Sequence, residues 1–217
     1  MKHIYLSYFL DENTPLYGGE KGIEIVPDRD IGNGDTANTK RLKLHNHSGT
    51  HIDFPNHFFA DGKMSHHYEA DFWIFNHPFL LEHEALKNEL IFPPEQSIKS
   101  IPLETDFLII KTGFGKYRDK EAYWKYNAGL HPDLAGMIRQ HIPNVRVIGV
   151  DLVSITSFQD RPSGRVAHKH FLGGEPILLI EDMKLDALVG SPLRVVCLPL
   201  LAKGLDGAPI TIIAEIS

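Results

Sequence analysis

The sequence predicts a mixed α/β fold carried on one domain over residues 1–217. Three observations carry this expectation. Short runs rich in β-branched residues recur between turn residues. Two of them, Phe107-Leu-Ile-Ile110 and Ile177-Leu-Leu-Ile180, are apolar throughout, as suits central strands covered on both faces. One segment, Pro132–His141, places Leu134, Met137, Ile138 and His141 on a single helical stripe.

Taken in order, His3–Phe9 and Ile23–Val26 read as the first strands. Segments 11–40 and 53–70 are rich in Gly, Pro, Asn and Asp and read largely as long loops, which in a compact domain tend to carry function. Asp71–Leu86 has partial helical character that Pro78 interrupts. Phe107–Thr112 is a strand. The helix at 132–141 begins with Pro132 in its first turn and stops at Pro143-Asn144. Strands follow at Val145–Asp151 and Ile177–Glu181, a short helix at Lys184–Val189 closed by Gly190, and strands at Arg194–Leu198 and Ile210–Ile216.

Composition narrows the function classes. A net charge of −6 gives no electrostatic case for nucleic acid or an anionic membrane surface. Cys197 is the single cysteine, so neither a disulfide framework nor a thiolate metal site can form within the chain. No apolar run approaches the roughly 20 residues of a membrane span. The N-terminal MKHIYLSYFLDENT lacks the pattern of a signal peptide, and the expected location is a reducing cytoplasm. A loose G-x-G-x-x-A match at 32–37 follows no convincing strand, no G-x-S-x-G elbow occurs, and His83-Glu84 lacks the second histidine of H-E-x-x-H.

The chemistry concentrates in His45-Asn-His-Ser-Gly-Thr-His-Ile-Asp-Phe-Pro-Asn-His57. A helix would put Asp53 about 200° around from His51, and Gly49 and Pro55 oppose one. In an extended chain His47, His51, Asp53 and His57 share one side, while Leu42, Leu44, Ile52 and Phe54 take the other. His45 has the same parity but stands farther from Asp53, in an outer position. The bland alternative is a polar edge strand with exposed histidines. Four donors in register argue instead for a metal or catalytic site. Imidazole and carboxylate suit zinc, manganese or iron. Further donors are expected from His168, His170 and Glu181, the last ending the most apolar strand.

His47-Ser-Gly-Thr-His-Ile-Asp-Phe-Pro-Asn-His57 resembles the His-x-Gly-Thr-His-x-Asp-x-Pro-x-His signature of the metal-dependent cyclase-like hydrolases, the family of bacterial-type kynurenine formamidases and isatin hydrolases. Thr112-Gly-Phe114, Gly149-Val-Asp-Leu-Val-Ser154 and His168…Phe171-Leu-Gly173…Glu181 resemble further family segments in the same order. The resemblance implies a swivelling β/β/α fold with a mixed sheet and a centre of one or two divalent ions, zinc first and manganese second. It implies His47, His51, Asp53, His168 and Glu181 as ligands, with Asp53 and Glu181 bridging, and His57 as acid/base. His170 competes with His168, whose offset to Phe171-Leu-Gly fits the pattern better. Pro15-Leu-Tyr-Gly-Gly19 stands where the formamidases resemble Pro-x-Trp-Pro-Gly, so Tyr17 takes the substrate-facing position. Phe58, Phe59 and Phe114 are further candidates to hold an aryl group.

The function implied is hydrolysis of an amide C–N bond in a small molecule, an aryl formamide or a cyclic amide, by metal-activated water, in a homodimer or homotetramer. A non-catalytic metal or small-molecule binder, and a lactone-forming or dehydrating cyclase, are the alternatives.

Overall fold

The apolar runs do occupy the middle of a sheet. The computed structural model describes residues 1–217. Its strands are β1 (Lys2–Tyr5), β2 (Ile23–Arg29), β3 (Thr39–Leu44), β4 (His51–Asp53), β5 (Ile74–Phe75), β6 (Pro78–Glu82), β7 (Leu90–Ile91), β8 (Phe107–Lys111), β9 (Gly129–Leu130), β10 (Val147–Val150), β11 (Leu178–Glu181), β12 (Arg194–Pro199) and β13 (Gly207–Ile216). Its helices are α1 (Glu95–Lys99), α2 (Ala122–Lys125), α3 (Leu134–His141) and α4 (Arg161–Leu172).

The main sheet runs β5-β12-β13-β4-β11-β10-β8-β6, with β1 also on β13. Strands β6, β8, β10 and β11 are parallel. Burial of β8, β10 and β11 almost throughout explains why β8 and β11 read as unbroken apolar runs. The two edge strands, β5 and β6, are separated in sequence only by residues 76–77, so the sheet curls until it nearly closes into a barrel. Strand β13 makes the corner: Gly207–Pro209 pair with β4, and Ile210–Glu215 pair with β12. Helix α4 packs against β11, and α3 packs against α4, with Leu134, Ala135 and Ile138 of α3 buried. The β2–β3 hairpin is mostly exposed.

Four sequence expectations change. The first strand stops at Tyr5 because the Ser7 side chain replaces the ladder: its hydroxyl donates to the Ile210 carbonyl and accepts from the Ile212 amide. Residues 70–73 form a 3-10 turn, after which the chain becomes β5 and then β6, with Pro78 opening an edge strand where its missing N–H costs nothing. Residues 184–189 form no helix, since the Lys184 amide donates to the Leu6 carbonyl while Leu185 and Leu188 fill the core. And 161–172, unassigned from sequence, is the longest helix of the fold.

Candidate metal centre

Strand β4 lies buried between β11 and β13. His51 and Asp53, two residues apart, point to one face. The antiparallel register sets Glu181 opposite His51, so its carboxylate emerges on that face too. The parity argument holds for this pair alone. His47 belongs to the bend between β3 and β4, where Gly49 adopts φ 61°, and His57 ends a 3-10 turn over Pro55–His57. Turns, not strand alternation, return both rings to the cluster. On the other side of β4, Gly207 lies opposite Asp53. A Cβ at 207 would land 2.8 Å from both His47 ring nitrogens, so glycine leaves the space that the imidazole fills.

Two carboxylates each divide their oxygens between two histidines. His51 Nε2 lies 3.6 Å from Asp53 Oδ1 and 3.4 Å from Glu181 Oε2. His168 Nε2 lies 3.5 Å from Asp53 Oδ2 and 3.5 Å from Glu181 Oε1. His47 Nδ1 is 2.8 Å from Asp53 Oδ1, yet that buried oxygen accepts no hydrogen bond. Such an orphaned anionic oxygen facing imidazole nitrogens fits a cation, and the all-imidazole and carboxylate donor set fits zinc or manganese. His51, Asp53 and Glu181 each offer an atom within 4.8 Å of the others, and so do His47, Asp53 and His57.

The surrounding groups fix the rings. His51 Nδ1 sits 2.8 Å from the Gly49 carbonyl, and His168 Nδ1 sits 2.9 Å from the Gly164 carbonyl. Each Nδ1–H donates to its carbonyl and leaves the Nε2 lone pair on the carboxylate side, free to ligate a cation. Glu181 Oε1 accepts from the Ser154 hydroxyl at 3.0 Å and the Ile155 amide at 2.7 Å, so the end of the 149–154 segment and the residue after it support this carboxylate from behind. His168 projects from the buried stripe of α4. His170 faces outward, its Nδ1 3.0 Å from the Pro132 carbonyl, which removes it from the cluster.

Asp206 was not singled out from the sequence. Its Oδ2 lies 3.0 Å from His47 Nε2 and 2.8 Å from His57 Nδ1, and its Oδ1 accepts from the Asn46 amide at 2.7 Å. One carboxylate thus orients two histidines of the signature. The only sequence signal was an acidic residue beside a glycine just before the last strand.

The electrostatics call for positive charge. Burial alone would lower the proton affinity of these imidazoles, but Asp53 and Asp206 hold His47 up at about 9, and Asp53 and Glu181 hold His168 at about 10. His51 is raised in the same way, chiefly by Glu181 acting against its burial. Burial opposes ionisation of Asp53, Glu181 and Asp206 as well, yet the neighbouring imidazoles pull all three below the usual carboxylate range. His45, in its outer position 5.8 Å from the His47 ring, is lowered by partial burial and then by His47.

A cleft of about 510 Å³ opens onto the cluster, within the usual range for small-molecule sites. Tyr17, Phe58, Phe158, Arg161 and Arg165 line it. Phe58 stacks on His168 with ring centres 4.7 Å apart. Phe114 is fully buried core, and Phe59 packs beside Gly173 and the core, so neither lines the cleft.

Asp182, next to Glu181, has φ 52°, a left-handed conformation that costs a residue with a Cβ about 1 kcal/mol. Several bonds hold it there: Arg118 Nη2 donates to Oδ2 at 2.7 Å, the Tyr123 hydroxyl to Oδ1 at 2.6 Å, and the Thr50 hydroxyl to its carbonyl at 2.6 Å. Arg118→Met is expected to destabilise the protein by about 3 kcal/mol, because it strands a buried carboxylate. Urea denaturation measures this; a loss under about 1 kcal/mol would show that Asp182 needs no cationic partner.

The family described as putative cyclase matches residues 4–157. Cyclase-like protein 1 of Arabidopsis thaliana is 29% identical over 195 residues, covering 82% of this chain and 69% of that protein. The kynurenine formamidase of Bacillus cereus is 24% identical over 208 residues, covering 95% of this chain and 94% of that protein. Among solved structures, isatin hydrolase A from Labrenzia aggregata, bound to benzyl benzoate, superposes with a TM-score of 0.84 at 19% identity, covering 99% of this chain and 93% of that one.

Proposed function

The chain belongs to the cyclase family, and from that premise we propose that it is a divalent-metal-dependent amidohydrolase that cleaves the C–N bond of an aryl formamide or a cyclic amide. The observation that carries this reading is the shared pair of buried carboxylates, Asp53 and Glu181, each turned to His51 with one oxygen and to His168 with the other. The kinship with a kynurenine formamidase, and the fold shared with an isatin hydrolase, agree with it.

His47, His51, Asp53, His168 and Glu181 would hold one or two ions of zinc or manganese. When bound, a divalent cation supplies Lewis acidity, which lowers the pKa of water to about 7 and polarises a carbonyl. His57 is the acid/base. Its Nδ1 is committed to Asp206, so Nε2 takes a proton from water and returns it to the departing nitrogen. Phe58 and Tyr17 flank the substrate, and Phe58 also shields the His168 side from bulk water.

Chelator treatment is expected to lower hydrolysis of N-formylkynurenine, isatin or simple aryl formamides by more than about 100-fold, with recovery on adding zinc or manganese. Full activity in protein that elemental analysis shows to be metal-free would overturn the reading.

A further inference from the structure

We propose that Arg161 and Arg165 form an anion subsite, so that the substrate carries a carboxylate beyond the bond that is cleaved. This rests on the hydrolase reading above and adds a substrate class to it. Positions 161, 165 and 168 follow the i, i+4, i+7 spacing of α4, so the two arginines and His168 share one helical face. At 1.5 Å of rise per residue, Arg165 stands about 4.5 Å and Arg161 about 10.5 Å along the helix from His168. A small aromatic molecule lying along that wall meets the metal-ligand cluster at one end and a guanidinium at the other.

Both guanidiniums are exposed at the cleft, and neither forms a salt bridge, although the chain carries net charge −6. Of the other arginines, Arg41, Arg118 and Arg146 pair with carboxylates within 3.6 Å. Arg161 is also held in place. Its Cζ lies 4.3 Å from the Phe158 ring centre, a cation–π contact, and Phe158 packs edge-on to Tyr17 and Trp124, each at 5.6 Å. The Tyr17 hydroxyl oxygen is buried and makes no hydrogen bond. A carboxylate between Tyr17 and the arginines would accept from both.

No carboxylate of the cleft forms a salt bridge with either arginine, and Asp53 and Glu181 face His51 and His168. Glu20 is exposed and acts on His45, and Asp182 is committed to Arg118 and Tyr123. A planar guanidinium suits the two oxygens of a carboxylate, whereas a neutral substrate gains nothing from it.

The test compares 4-formamidobenzoate with neutral formanilide in the metal-loaded protein, using wild type and the double variant Arg161→Gln/Arg165→Gln. The preference in kcat/KM for the charged substrate is expected to fall by about 10- to 100-fold in the variant, mostly through KM, as for loss of a charge-assisted bond. Lysine at both positions is expected to restore part of it. Benzoate and benzamide binding to the protein as purified, followed by calorimetry, gives a readout apart from turnover: wild type should favour benzoate and the glutamine variant should not. No wild-type preference for either anion, or a preference that survives both substitutions, overturns the anion subsite and leaves the hydrolase reading standing. Failure of metal-loaded protein to cleave either amide overturns the hydrolase reading, and benzoate binding still decides the subsite.

Discussion

Asp53→Asn is expected to abolish stoichiometric metal binding and to lower hydrolysis by at least about 1000-fold, since both the cation and its activated water are lost. The substitution keeps the size of the side chain and removes its charge. Asp53 is 1% exposed and turns Oδ1 toward His47 and His51 and Oδ2 toward His168. In asparagine, one of those positions becomes an NH₂ that cannot ligate, so one histidine group loses its shared anion whichever way the amide turns. The fold should persist, because the backbone of β4 is held by β11 and β13 irrespective of the side chain. A thermal melt separates the two effects. Zinc at about 1000 times its Kd stabilises a binding protein by about 4 kcal/mol, which for a chain of this size raises Tm by about 10 °C. Wild type should show that rise, and Asp53→Asn should not. An asparagine variant that keeps one or two equivalents of metal by elemental analysis would sink the assignment of Asp53 as the shared ligand.

What could be read beforehand depended on how far each donor lay from the rest. His51, Asp53 and Glu181 were legible because strand alternation and the apolar run ending at Glu181 are local patterns. Their meeting needed only β4 beside β11. His47 and His57 were found by type but placed by the wrong geometry. Gly49 opposes a helix, and it also makes the left-handed turn that ends the extended run. Helix α4 was missed because its buried stripe is Gly164, Ala167, His168, Phe171 and Leu172, in which a glycine and a histidine stand for apolar residues. Its start was readable in hindsight: Asp160 accepts from the Ser163 amide and Pro162 occupies the first turn. Without the helix, the shared face of Arg161, Arg165 and His168 had no meaning. Asp206 was beyond reach for another reason. It lies 149 residues from His57 and is delivered by the pairing of Gly207 with Asp53, a register that no local pattern records.

His57→Ala should retain metal and lose about 100- to 10,000-fold in kcat, the range for a positioned acid/base. The contrast with Asp53→Asn is the point of the experiment. His57 offers an atom within 4.8 Å of atoms from both His47 and Asp53, so proximity alone also allows it as a ligand. The hydrogen bonding argues otherwise, because Nδ1 is held 2.8 Å from Asp206 Oδ2, and the same oxygen holds His47. A ring anchored in this way keeps Nε2 free to pass a proton, and His47, His51, Asp53, His168 and Glu181 would suffice to hold a cation. Asp206→Asn then separates orientation from proton transfer. It should cost about 10- to 100-fold in metal affinity or turnover, the usual effect of removing a group that orients a ligand. With saturating metal, adding it to His57→Ala should lower kcat little further, because its catalytic effect acts through a ring already removed. Loss of stoichiometric metal from His57→Ala would make His57 a ligand instead. A wild-type rate in that variant would leave the reaction without its proton carrier.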